Sequence, residues 1–130
     1  MSRRDARDVA FKLVFEYTFN KVEKGNMIEE YITDMKLDED DVAYIKEVYF
    51  GVISHYDELI TKISENIEKF AIDRVYKVDL ALLLLAGYEI LFMEGIPFKV
   101  SVNEALSLAE KYSTEKSVKY INGVLSKFAR

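Results

Sequence analysis

The sequence predicts an all-α fold of about seven helices, arranged as two small helical subdomains that share one buried central helix. Three observations carry this. Residues 78–93 read Val-Asp-Leu-Ala-Leu-Leu-Leu-Leu-Ala-Gly-Tyr-Glu-Ile-Leu-Phe-Met, interrupted only by Asp79 and Glu89. Leu, Ala and Met favour helix, and a helix apolar all the way round belongs in a core. Elsewhere apolar residues recur at helical spacing between capping signals. No alternating run is bounded by turn pairs, and one proline with five glycines leaves little for a many-turned β fold. A transmembrane reading of the apolar stretch fails on length. Its sixteen residues reach about 24 Å at ~1.5 Å each, short of a ~30 Å hydrocarbon core. Asp79 and Glu89 are expected at its surface or on a partner.

In helix 1, Ala6, Val9, Ala10, Leu13, Val14 and Tyr17 form a core stripe. Arg4, Arg7, Phe11 and Phe15 fall on a second face, basic at its start and aromatic further along. Phe11 reads as core. The helix start also offers free N–H groups to phosphate. Asn26 with Glu29, after Gly25, reads as a capping pair for helix 2, whose stripe is Ile28, Tyr31, Ile32 and Met35. Asp38, Glu39, Asp40 and Asp41 place acids in the first turn of helix 3, where they complement the helix dipole. That run reads as a cap and solvated turn rather than a metal site. Val42, Ile45, Tyr49 and Val52 follow.

Ser54 with Asp57 reads as a cap for helix 4, with Leu59, Ile60, Ile63, Ile67 and Phe70 inward. His55, the only histidine, has neither cysteine nor a second histidine to join it as a metal ligand. A junction near residues 71–77 leads to the hub as helix 5, and Gly95-Ile96-Pro97 stops it. Ser101 to Glu104 has the capping-box pattern for helix 6, which buries Val102, Ala105, Leu106, Ala109 and Tyr112. Ser113-Thr114 leads into helix 7, with Val118, Ile121, Val124, Leu125 and Phe128 inward. On its other side Lys116, Tyr120, Gly123 and Lys127 align, a tyrosine between lysines that suits a stacked base beside phosphates. A snorkelling lysine face with a rim tyrosine has the same pattern.

A chain of 130 residues suits one domain, 1–130, divided at about 1–71 and about 72–130. No cysteine means no disulfide or thiolate chemistry. The first residues carry no apolar run behind their charges, so no secretory signal is expected, and a cytoplasmic location is. One histidine and scattered carboxylates make no catalytic constellation, and no glycine-rich cofactor loop is present. The net charge of −5 is unevenly spread. Arg3, Arg4, Arg7 and Lys12 outnumber Asp5 and Asp8 at the start. Lys111, Lys116, Lys119, Lys127 and Arg130 outnumber Glu110 and Glu115 at the end. Residues 34–68 hold ten acids against three lysines. This asymmetry fits a polyanion bound at one place, but charge alone favours a set of solvated helix faces.

Four pieces of the chain, in register, resemble the NusB transcription antitermination family. They are Val78-Asp79-Leu-Ala-Leu-Leu-Leu-Leu-Ala-Gly-Tyr88-Glu89; Ile96-Pro97; Val102-Asn103-Glu104-Ala105 with Leu108-Ala109; and Tyr120-Ile-Asn122-Gly123-Val124-Leu125. The opening Arg3-Arg4-Asp-Ala6-Arg7 is similar to the family's arginine-rich start. Residues 21–53 match only in helix pattern and length. The resemblance implies a seven-helix fold in two subdomains and a protein without catalysis or cofactor. It implies binding to boxA-type single-stranded RNA in nascent ribosomal RNA transcripts, together with the ribosomal protein NusE. It also implies assembly with other Nus factors and RNA polymerase, and it admits a homodimer. By position, Arg3, Arg4, Arg7, Lys116, Ser117, Lys119, Tyr120 and Asn122 are implied on RNA, and Phe15 and Asp79 on NusE. The three arginines are expected to be removable without loss of stability, and Asp79→Arg to leave the fold intact.

The chain departs from the family at Leu84, where an arginine is common, and at Lys116, where an acid is frequent. The lysine favours RNA. Two other readings stand beside this one: a helical adaptor that binds only protein, and an accessory domain like those preceding rRNA cytosine methyltransferases.

Overall fold

The structure is a computed structural model and describes residues 3–67 and 72–128. Phe70, position 71 of the expected junction and Arg130 lie outside the described residues. Among the described residues the chain forms seven α-helices, one 3-10 turn and no strand. The helices are α1 (Arg3–Asn20), α2 (Met27–Met35), α3 (Glu39–Ser54), α4 (Tyr56–Glu65), α5 (Lys77–Phe92), α6 (Phe98–Tyr112) and α7 (Glu115–Ser126). The 3-10 turn, Ile72–Arg74, precedes α5.

The apolar stretch is the hub. Residues 79–90 of α5 are all buried, and α5 packs against α1, α3, α4, α6 and α7. A fully buried leucine contributes about 1.5–3 kcal/mol of burial free energy. Leu82 to Leu85 therefore anchor five neighbouring helices through one element. α1 also lies on α3, and α6 on α7. The α1 stripe of Ala6, Val9, Ala10, Leu13 and Val14 is buried, and so is Phe11. No helix among the described residues is long and apolar enough to cross a membrane.

Two caps form at helix starts that the sequence marks. The Asp38 carboxylate accepts the Asp41 N–H at 2.9 Å, and the Thr114 hydroxyl accepts the Ser117 N–H at 3.1 Å. Three others do not. Asn26 is already helical (φ −62°, ψ −23°) and its side chain caps nothing. The carbonyls of Lys24 and Gly25 take the first N–H groups of α2 instead. α3 runs on through Ser54, so α4 starts after His55, whose carbonyl accepts the Leu59 N–H. α6 starts at Phe98, behind Pro97, four residues earlier than the Ser101 box predicts. Proline lacks an N–H and presets φ, so it favours a helix start. Ser101 is thereby placed inside the first turn, and its hydroxyl points at α5.

Candidate nucleic-acid interface

The first turns of α1 carry the arginines, and each guanidinium is held by a carboxylate from another helix. Arg3 Nε lies 3.3 Å from Asp41 Oδ1 of α3, and its guanidinium sits 4.6 Å from the Tyr44 ring centre. Arg4 reaches Glu104 of α6, with Nε 3.2 Å from Oε1 and an amino nitrogen 3.3 Å from Oε2. Arg7 forms a fork on Glu89 of α5, Nε to Oε2 at 2.9 Å and the second contact at 3.1 Å. The Tyr44 hydroxyl also donates to Glu89, and the Ser101 hydroxyl does so at 2.8 Å. Arg7 is 6% exposed and Glu89 1%.

Burial works against the charge on Arg7, but its hydrogen bond to Glu89 and the surrounding negative groups outweigh it and hold its pKa above the ordinary value. Burial, reinforced by the charge of Glu89, pushes the Tyr44 phenol well up, so it stays a donor. Arg7 is therefore a structural ion pair, and the expectation that it can be lost without affecting stability is corrected. Glu89 has found its partner inside the core rather than at the surface.

The second cluster lies on α7. Lys116, Lys119 and Asn122 are exposed, and Tyr120 is half-buried. Among the described residues neither Lys116 nor Lys119 has a carboxylate partner. Ser117 is buried and donates to Asp79 Oδ2 at 2.9 Å, while Ser113 donates to Oδ1 at 3.1 Å. Asp79 is 4% exposed and held by hydroxyls. Asp79→Arg would force a long cation into that packed site, so the expectation of an intact fold is corrected too. Ser117 and Asp79 thus support each other rather than presenting two separate contact groups. Burial and the nearby Asp79 charge raise the Tyr120 phenol pKa.

The two basic clusters are anchored at different points of α5. Arg7 meets α5 at Glu89 and Ser117 meets it at Asp79. Ten residues separate these points, roughly 15 Å along the helix at ~1.5 Å per residue. The seam between α1 and α6 connects them. Asp8 accepts the Tyr112 hydroxyl at 2.6 Å and lies within 3.3 Å of Lys111 and 3.0 Å of Lys12. Burial pushes the Asp8 carboxyl up, but Tyr112, Lys12 and Lys111 outweigh it, so its pKa falls below the ordinary value. On the adjoining side Phe15 is half-buried. It stacks on Phe11 at 5.9 Å and meets Phe19 edge-on at 5.0 Å, while Phe11 stacks on Tyr112 at 5.1 Å.

A groove of about 410 Å³ opens beside α7, lined by Arg74, Val75, Tyr76, Asp79, Lys116, Ser117 and Tyr120. Sequence reasoning singled out its α7 and α5 members and missed Arg74 and Tyr76. They sit in the junction before the hub, where no periodicity marks a face. The only signal there was a bare arginine and tyrosine.

The NusB family profile matches residues 4–130. The chain belongs to the NusB family. It is 42% identical over 127 residues to the transcription antitermination protein NusB of Clostridium novyi, covering 96% of each chain. Among solved structures it superposes on NusB of T. maritima with a TM-score of 0.89 at 33% identity, covering 99% of this chain and 91% of that one. It superposes on a crystal structure of the antitermination factors NusB and NusE in complex with double-stranded RNA with a TM-score of 0.86 at 26% identity, covering 97% of this chain and 94% of that one. The all-helical fold expected from the hub and the apolar stripes is the NusB fold. Leu84, one of the two positions where the sequence is expected to depart from the family pattern, is fully buried in the hub.

Proposed function

We propose that this chain is an RNA-binding transcription antitermination factor that acts with a NusE partner on boxA-type RNA. The reading has no catalytic step: the chain holds RNA and partner together. The observation that carries it is α7, where Lys116 and Lys119 are exposed without carboxylate partners among the described residues and Tyr120 lies beside Lys116. Cations and an aromatic face are what an unpaired RNA strand needs. Arg3 and Arg4 extend the site by exchanging Asp41 and Glu104 for phosphates. Arg7 supports them from beneath, through Glu89. Phe15, with the aromatic ladder around it, faces NusE, while Asp79, buried and held by Ser113 and Ser117, positions the start of α7 from beneath rather than contacting the partner itself. Other Nus factors, RNA polymerase, a homodimeric state, a cytoplasmic location and a role in ribosomal RNA synthesis belong to the same reading.

The test is a titration of boxA-type single-stranded RNA, with and without NusE, across several salt concentrations. Binding should tighten with NusE and weaken with salt. Arg3→Ala with Arg4→Ala should lower the slope of log K against log salt by about 1.4, at ~0.7 per phosphate contact. A wild-type chain that retains no RNA at low salt, with or without NusE, would overturn the reading in favour of a protein-only adaptor.

A further inference from the structure

We propose that the groove between the 3-10 turn, the start of α5 and α7 is a subsite for one unstacked nucleotide, with Tyr76 and Tyr120 as its aromatic walls and Arg74 and Lys116 as its phosphate contacts. This rests on the RNA-binding reading and adds to it two residues outside the family motifs.

Tyr76 is 70% exposed, the most exposed of the large hydrophobic side chains among the described residues. It occupies the position before the first turn of α5 with an extended backbone (φ −57°, ψ 140°), so its side chain leaves the helix. It makes no ring contact and no side-chain hydrogen bond among the described residues. A single exposed aromatic is ordinary on a protein surface. This one lines the same groove as Tyr120, Arg74 and Lys116, and that combination is not ordinary.

The cations differ from those of α1. Arg3, Arg4 and Arg7 are each bound to an acid. Arg74 and Lys116 have no ion-pair partner among the described residues, so a phosphate reaching them displaces nothing. The only carboxylate lining the groove is Asp79, already taken by Ser113 and Ser117. Its volume of about 410 Å³ lies in the ~300–1,000 Å³ range of small-ligand sites. A duplex presents only paired, stacked bases and cannot place a ring there, whereas a splayed single strand can. Lys119 and Asn122 follow on the same helix, α7.

The experiment measures binding of boxA-type single-stranded RNA to the full chain with NusE present, at several salt concentrations, for Tyr76→Ala, Tyr76→Phe and Arg74→Ala. Both side chains are exposed, so the variants should fold, and circular dichroism checks this. Tyr76→Ala should weaken binding about 5- to 100-fold with an unchanged salt slope, since one stacked base is lost. Tyr76→Phe keeps the ring face and should bind as wild type. Arg74→Ala should lower the salt slope by about 0.7. If wild type binds RNA and both alanine variants match it, the subsite is wrong while the RNA reading stands. If Tyr76→Ala weakens NusE binding measured without RNA and leaves RNA affinity unchanged, the groove belongs to the protein partner and the proposal is overturned. Absence of wild-type RNA binding overturns the underlying reading instead.

Discussion

Removing Arg7 should unfold much of what holds α1 to the hub. The guanidinium forks on Glu89 at 2.9 and 3.1 Å, in a site where the two residues are 6% and 1% exposed. Arg7→Ala leaves the Glu89 carboxylate buried with only the Tyr44 and Ser101 hydroxyls donating to it. Breaking a buried pair from one side costs about 3–5 kcal/mol, because the remaining charge is uncompensated. A domain of this size holds a total of about 5–15 kcal/mol. At roughly 3–5 °C per kcal/mol for a chain of this length, the melting temperature should fall by about 10–20 °C.

Arg4→Ala is the control. The Arg4 side chain is 69% exposed, and its pair with Glu104 should contribute about 0.5 kcal/mol or less. Arg7→Lys should fall between the two, keeping the charge but losing the fork. Thermal melts and urea titrations followed by circular dichroism read all three. An Arg7→Ala protein that melts with Arg4→Ala would refute the claim that this arginine is structural.

Three further perturbations test the core and the α1–α6 seam. Leu83→Asp places an unpaired carboxylate in a fully buried site of α5 at a cost of several kcal/mol, so the far-ultraviolet spectrum at neutral pH should show a largely unfolded chain. Gly51→Ala should cost about 1–3 kcal/mol in a urea titration. The new Cβ would run into the Tyr88 ring, which is backed by Phe92 at 5.3 Å; wild-type stability would mean that Tyr88 swings clear. Asp8→Asn should lose up to about 1 kcal/mol at neutral pH. The folded Asp8 carboxyl titrates below its ordinary 3.8. Its contribution is therefore present above that value and lost as pH falls through the folded one, so urea midpoints of variant and wild type should converge in strong acid. A gap that persists there would assign the effect to packing.

The hub was legible because a sixteen-residue stretch broken only by Asp79 and Glu89 needs no partner information: composition alone puts it inside. The α1 and α7 stripes were legible for the related reason that helical periodicity is local. Arg7 was not. Its role depends on Glu89, 82 positions away, and on the sequence the arginine looked like its neighbours Arg3 and Arg4. The misplaced caps share a cause. A Ser-x-x-Glu or Asn-x-x-Glu pattern marks a helix start only where the backbone before it is extended. Asn26 is helical, and Pro97 starts α6 ahead of Ser101. Ser101 and Ser117 instead spend their hydroxyls on the two carboxylates of the hub, Glu89 and Asp79. Those two acids looked like interruptions of the apolar run, and they are where α1, α6 and α7 attach to it.

That attachment shapes the proposed RNA site. The acids of α3, α5 and α6 neutralise the arginines at one end of α5, while Lys116 and Lys119 at the other end have no carboxylate partner among the described residues. A strand arriving on this net-negative chain meets unpaired cations first on α7. The arginine end takes phosphate only by exchange, at Arg3 and Arg4, against Asp41 and Glu104. Because roughly 15 Å of α5 separates the ends, a short oligonucleotide touches one of them. A longer one must follow the α1–α6 seam past Lys12 and Lys111, both already turned toward Asp8. Affinity should therefore rise stepwise with RNA length, the second step appearing when the strand spans the seam and vanishing when Arg3 and Arg4 are both replaced. A single basic patch would give one smooth rise, so the length dependence of binding separates a two-ended track from a patch.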